Sequence, residues 1–155
     1  GRTGTWFAYQ QLGVVPDILI TAKALGAGFP VSLVAFAQSV IDRADITINH
    51  FSSHQNDPLS CAVVVAVVAE IERKKLLARV TRIGAYFLDQ LEQLSTRNPL
   101  LRYPRGQGLM LGFDLHQDGL TSYRELGAQF GAQLTKAGML LQSTSQGKTY
   151  RILPR

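Results

Sequence analysis

Between positions 17 and 30 the chain reads Asp17-Ile18-Leu19-Ile20-Thr21-Ala22-Lys23-Ala24-Leu25-Gly26-Ala27-Gly28-Phe29-Pro30, an apolar run that breaks into a glycine-rich turn. Such an order restricts the fold: the apolar residues ask for a strand, and the glycines ask for it to stop sharply. Another apolar run, 31–37, follows at once. Two short buried strands joined by a turn over 26–30 are therefore predicted, as part of a sheet whose other strands lie upstream. Lys23 falls where the first strand delivers one amine onto that turn. A lysine forms an imine only when its amine is neutral; a partly desolvated pocket lowers its pKa, and small neighbours leave room for a flat ring. On spacing alone, a solvated lysine closing a strand is the better reading.

Composition narrows the class without naming a function. At 155 residues and 46% hydrophobic the chain can bury a core as one domain or two small ones. The longest apolar stretch, 61–69, is too short to span a bilayer, and no signal segment opens the chain, so no membrane association is expected. Cys61 stands alone, which excludes an internal disulfide and fits a reducing, cytoplasmic setting, with core packing as its expected role. The net charge of +5 is scattered, with one run of adjacent basic residues at Arg73-Lys74-Lys75, so no nucleic-acid stripe is expected. A basic surface does suit an anionic, phosphorylated ligand.

Further along, 39–44 reads as a short helix capped by Ser39. Asp57-Pro58 is a helix start, a capping carboxylate ahead of a proline whose missing N–H costs nothing in the first turn. A buried helix over 57–73 is predicted, with a strand as the alternative because of the valines in 63–68. Leu76, Val80, Ile83, Phe87, Leu91 and Leu94 recur at helical spacing, and Asn98-Pro99 ends that second helix. A strand at 109–115, a helix at 122–137 and strands at 139–141 and 149–153 complete a small α/β unit, with a boundary near Lys74-Lys75.

Three places could carry chemistry besides Lys23. Ser52-Ser53 precedes the Asp57 helix, where hydroxyl and backbone donors could hold a phosphate, although paired serines ahead of a helix usually act as caps. Arg151 stands in a strand, and its planar fork suits a carboxylate, although a surface arginine is the plainer reading. Gly106-Gln107-Gly108 opens a strand rather than a helix, against a dinucleotide site. His50, His54 and His116 lack metal-ligand spacing, so no metal is expected.

Taken in order, Gly1-Arg2-Thr3-Gly4, Trp6-Phe7-Ala8, Val15-Pro16-Asp17-Ile18, Ala22-Lys23-Ala24-Leu25-Gly26-Ala27-Gly28, Ser52-Ser53-His54-Gln55-Asn56-Asp57-Pro58-Leu59, Gly106-Gln107-Gly108-Leu109-Met110-Leu111-Gly112 and Tyr150-Arg151-Ile152-Leu153-Pro154 resemble the class III pyridoxal-phosphate aminotransferases. Within them the chain looks most like the 2,2-dialkylglycine decarboxylase branch. Ser53-His54-Gln55-Asn56-Asp57-Pro58 departs from the common Thr-Phe-Gly-Gly-Asn-Pro, which counts against ornithine- and acetylornithine-type enzymes.

The resemblance implies a partial fold type I, α/β transferase: residues 1–74 as the carboxy-terminal part of a large cofactor-binding domain, and 75–155 as most of a small carboxy-terminal α/β domain. It implies pyridoxal 5'-phosphate as cofactor, held by Lys23 as a Schiff base, with Lys23 also the proton-shuttling base. By the same resemblance Ser53 reaches the cofactor phosphate of a neighbouring subunit, and Arg151 binds the substrate carboxylate. The family's second proline is replaced by Arg155. The implied reaction moves an amino group from an amino acid or amine to a 2-oxo acid, in a homodimer or higher homo-oligomer with shared sites. Decarboxylation-coupled transamination of a 2,2-disubstituted amino acid is one alternative, and a non-catalytic fragment that only associates with other subunits is another. The pyridinium-binding aspartate and the phosphate loop are expected upstream of Gly1, so residues 1–155 alone are expected to be inactive.

Overall fold

The computed structural model describes residues 1–43, 53–119 and 122–154. They form two compact units, one of Gly1–Phe7 with Leu77–Arg155, the other of Ala8–Leu76.

In the Ala8–Leu76 unit, β1 (Ile18–Thr21) and β2 (Leu33–Phe36) pair antiparallel, with Ile18 opposite Phe36 and Thr21 opposite Leu33. α1 (Gln38–Arg43) follows, and α2 (Pro58–Arg73) packs on the turn after β1. Both strands stand where they are predicted, but they are not buried: Ile20 is 73% exposed, and Ile18, Val34 and Phe36 are exposed too. A two-stranded ribbon has two faces and two edges, and a single short helix pair cannot cover them. α2 corrects the expectation in the same way. It is a helix, apolar on most sides, yet none of its residues is buried.

The other unit is a four-stranded sheet in the order β3-β4-β6-β5 with helices α3 (Leu76–Arg97) and α4 (Tyr123–Lys136). Every neighbouring pair is antiparallel: β3 (Leu101–Gln107) with β4 (Met110–Leu115), β4 with β6 (Thr149–Ile152), and β6 with β5 (Gln142–Thr144). Period-two alternation sends Leu111, Phe113, Leu115, Tyr150 and Ile152 to one face, where they join Leu91 and Leu101 in the buried core. The Tyr150 ring stacks on Phe113 at 5.7 Å and meets the edge of Phe130 at 5.0 Å. Its hydroxyl donates to the Gly127 carbonyl at 2.6 Å, so the one polar atom entering this core is satisfied.

Two elements differ from the sequence reading. β3 is not predicted at all, because Pro104 and Gly106 look like breakers. It is an edge strand, where a proline is tolerated, and its register shifts between Arg102 and Arg105 with Tyr103 at φ 53°. The strand expected at 139–141 begins at Gln142 instead. Gly138 adopts φ 78° and donates to Thr135, while Met139 donates to the Leu134 carbonyl at 2.9 Å. That pair of bonds is a Schellman stop for α4, and it uses up the residues that would have started the strand.

The β3–β4 turn is clamped from two sides. Leu109 N–H donates to the Arg2 carbonyl at 2.9 Å, and Gly108, at φ 56°, lies against Gly84 of α3. A Cβ at Gly84 would collide with the Gly108 carbonyl, which is backbone and cannot swing aside. Gly84→Ala in the protein should therefore lower stability by about 1–3 kcal/mol, read as a fall in thermal midpoint. An unchanged midpoint would show that the close crossing does not exist.

Candidate active site

Ala22 is fully extended, with φ −159° and ψ −159°, and Lys23 then opens a 3-10 turn, Lys23–Gly26. The Lys23 backbone sits at φ 55°. That left-handed conformation is uncommon for a residue with a long side chain and costs of the order of 1–3 kcal/mol; Ala27, at φ 50°, and Lys75, at φ 51°, share it. The surroundings hold it. Gly26 is buried, and a Cβ there would lie 2.6 Å from Val31 Cγ1; Phe29 N–H closes the turn onto the Gly26 carbonyl at 2.9 Å. At Gly28, with φ 110°, an added Cβ would meet nothing within 4 Å. The turn thus carries two left-handed residues, Lys23 and Ala27, between small neighbours. Lys23 itself is exposed, and the desolvating pocket expected around it is not formed by the described residues.

Ser53 is exposed at the head of the turn 53–56, in which Asn56 takes φ 57°. Ser52 and His50 lie outside the described residues. The capping role that two serines could fill falls instead to Asp57, whose carboxylate accepts from the Ser60 N–H and the Ser60 hydroxyl, both at 2.7 Å. Ser53 is free of that task.

Arg151 is half-buried in the middle of β6, opposite Gly112 on one side and Gln142 on the other. Lys23 and Ser53 belong to the Ala8–Leu76 unit, Arg151 to the other. Sequence reasoning does not reach Gln142, because its place beside Arg151 depends on the β5–β6 register. Gly106-Gln107-Gly108 ends a strand and forms a hairpin turn, so it has no helix terminus to offer a dinucleotide. Among the described residues no cluster of three or more metal-binding side chains is present, and His116 pairs with Asp118 at 3.1 Å. No helix among them is long and apolar enough to cross a membrane.

The model of the aminotransferase class-III family matches residues 1–155. The chain belongs to the class-III aminotransferase family. It is 38% identical over 133 residues to acetylornithine aminotransferase of Vibrio parahaemolyticus, covering 86% of this chain and 33% of that one. It is equally 38% identical over 124 residues to a leucine/methionine racemase of Thermococcus litoralis, covering 80% of this chain and 28% of the racemase. The crystal structure of acetylornithine aminotransferase from Elizabethkingia anophelis superposes with a TM-score of 0.85 at 30% identity, over 99% of this chain and 37% of that one. The chain thus spans about a third of the length of the relatives it matches, and its α/β architecture is part of a fold type I transferase. Class-III aminotransferases depend on pyridoxal phosphate. An acetylornithine enzyme is among the relatives although the 53–58 segment counts against that type, and a racemase stands beside it, so overall likeness does not separate the substrates.

The Asp57 cap fixes how the Ser53 turn enters α2. The Ser60 hydroxyl, and next the Ser60 N–H, hold the Asp57 carboxyl below its ordinary value of 3.8. A depressed carboxyl stabilises the fold above that ordinary value, and the contribution is lost as pH falls through the lower, folded-state pKa. Protection of the Ser60 amide, measured against its intrinsic exchange rate at each pH, should fall only below pH 3.8. A protection factor that drops already well above that pH would contradict the cap.

Proposed function

We propose that the whole protein is a pyridoxal 5'-phosphate-dependent aminotransferase that moves an amino group from an amino acid or amine to a 2-oxo acid, with Lys23 as the attachment residue. One observation carries the reading: Lys23 is strained at φ 55° on a glycine-bounded turn directly after a strand, in a chain whose full length matches the family. The residues present fit the cofactor. An exposed primary amine on a turn of small residues suits attachment to a flat ring, and an exposed Ser53 hydroxyl suits a phosphate.

When bound, the cofactor supplies an electron-withdrawing ring that stabilises negative charge at the substrate α-carbon. Lys23 Nζ, once released from attachment, would take the proton from that carbon and pass it to the cofactor, the relay that amino transfer requires. Arg151 orients the substrate by two parallel hydrogen bonds to its carboxylate. Ser53 donates to the phosphate held by a neighbouring subunit, which makes the working protein at least a homodimer. Residues 1–74 then contribute to the large domain and 75–155 to the small one. The protein works in the cytoplasm on small amino and 2-oxo acids.

The test is amino transfer from a panel of amino acids to pyruvate and 2-oxoglutarate by the full-length protein. Lys23→Ala should reduce turnover by at least about 10⁴-fold, since one residue serves both attachment and proton transfer. Ser53→Ala should retain turnover yet lose cofactor faster on dialysis. Transfer that survives Lys23→Ala would overturn the reading.

A further inference from the structure

The polar face of the four-stranded sheet carries one ordered row of positions. Strand pairing places Arg105 of β3 opposite Gly112 of β4, Gly112 opposite Arg151 of β6, and Arg151 opposite Gln142 of β5. Residues directly opposite one another project to the same face, so these four lie side by side across the sheet. The core face holds their sequence neighbours Leu111, Phe113, Tyr150 and Ile152.

The two arginines of the row are in different states. Arg105 is engaged: its Nη2 donates to Asp114 Oδ1 at 2.7 Å and its Nη1 donates to the Tyr103 carbonyl at 2.8 Å. Arg151 has no carboxylate within ion-pairing distance among the described residues. Its Nη1 donates instead to Gln142 Oε1 in a long, solvent-exposed hydrogen bond of 3.5 Å. On the other flank Gly112 contributes no side chain, and a Cβ there would press to 2.9 Å from the Tyr150 carbonyl oxygen. One side of Arg151 therefore meets a neutral amide, and the residue paired with it on the other strand is a glycine.

We infer that Gln142 is a positioning residue for Arg151. The inference rests on the reading of Arg151 as the substrate-carboxylate ligand. A guanidinium on a long stem loses affinity to rotamer freedom unless something orients it, and Gln142 Oε1 orients it through one nitrogen. Because the amide is neutral, it leaves the positive charge and the remaining donors for an incoming carboxylate. A glutamate in the same place would form the bidentate pair itself and compete with the substrate.

The experiment uses the full-length holoprotein and reads KM and kcat for an amino acid donor, together with the inhibition constant of propionate, a carboxylate with no amino group. Gln142→Glu should raise KM and the propionate constant together by about tenfold, with kcat changed less than about twofold, as expected when ground-state and transition-state binding are lost equally. Gln142→Met, similar in size but without the acceptor, should raise both constants by a smaller factor. Arg151→Lys serves as the reference. If Arg151→Lys raises both constants and Gln142→Glu leaves them unchanged, the role of Gln142 is overturned and that of Arg151 stands. If neither variant moves them, the Arg151 reading fails and takes this one with it. A Gln142→Glu protein that loses kcat and thermal stability while its KM holds would show a structural role only, and that too overturns the proposal.

Discussion

Alternation along β4 and β6 governs the sheet-bearing unit. Leu111, Phe113 and Leu115 on one strand and Tyr150 and Ile152 on the next point into the core, and the aromatic contact of Tyr150 with Phe113 and Phe130 fixes their register. A slip of one residue would turn every one of these side chains to water. It would also bury Arg151, whose place on the opposite face follows from the burial of its two neighbours. The chemistry assigned to Arg151 is thus a consequence of hydrophobic packing one residue to either side.

In the Ala8–Leu76 unit the governing constraint is backbone conformation. β1 ends at Thr21, Lys23 turns left-handed, and the buried Gly26 lets Val31 approach a position where any Cβ would clash. Strain in a lysine is maintained by glycines that have no side chain to resist it. The exposed apolar residues of β1, β2 and α2 show that this unit is less closed than the other. Their sequences ask for more cover than the described residues provide.

Much of this was legible from residue pattern. Asp57-Pro58 marked the start of α2, the spacing of Val80, Phe87 and Leu91 marked α3, and Ile18–Thr21 appeared as a strand with its own bounds. What could not be read depended on tertiary context. β3 hides behind Pro104 and Gly106, since only an edge position makes them acceptable in a strand. β5 starts late because the Gly138 stop takes Met139. The exposure of β1 and α2 differs from the sequence expectation, because apolar composition says what a segment would bury and not what covers it. Among the site residues, spacing alone favours plainer roles for Lys23, Ser53 and Arg151, and it is the family resemblance that raises them.

The central claim is that Lys23, among all the lysines of the protein, carries the cofactor. Borohydride reduction of the full-length protein loaded with pyridoxal phosphate, followed by peptide mapping, tests it directly. A pyridoxyl mass on the peptide containing Lys23 is the predicted result. The same mass on Lys136 or Lys148, with Lys23 unmodified, would contradict the account.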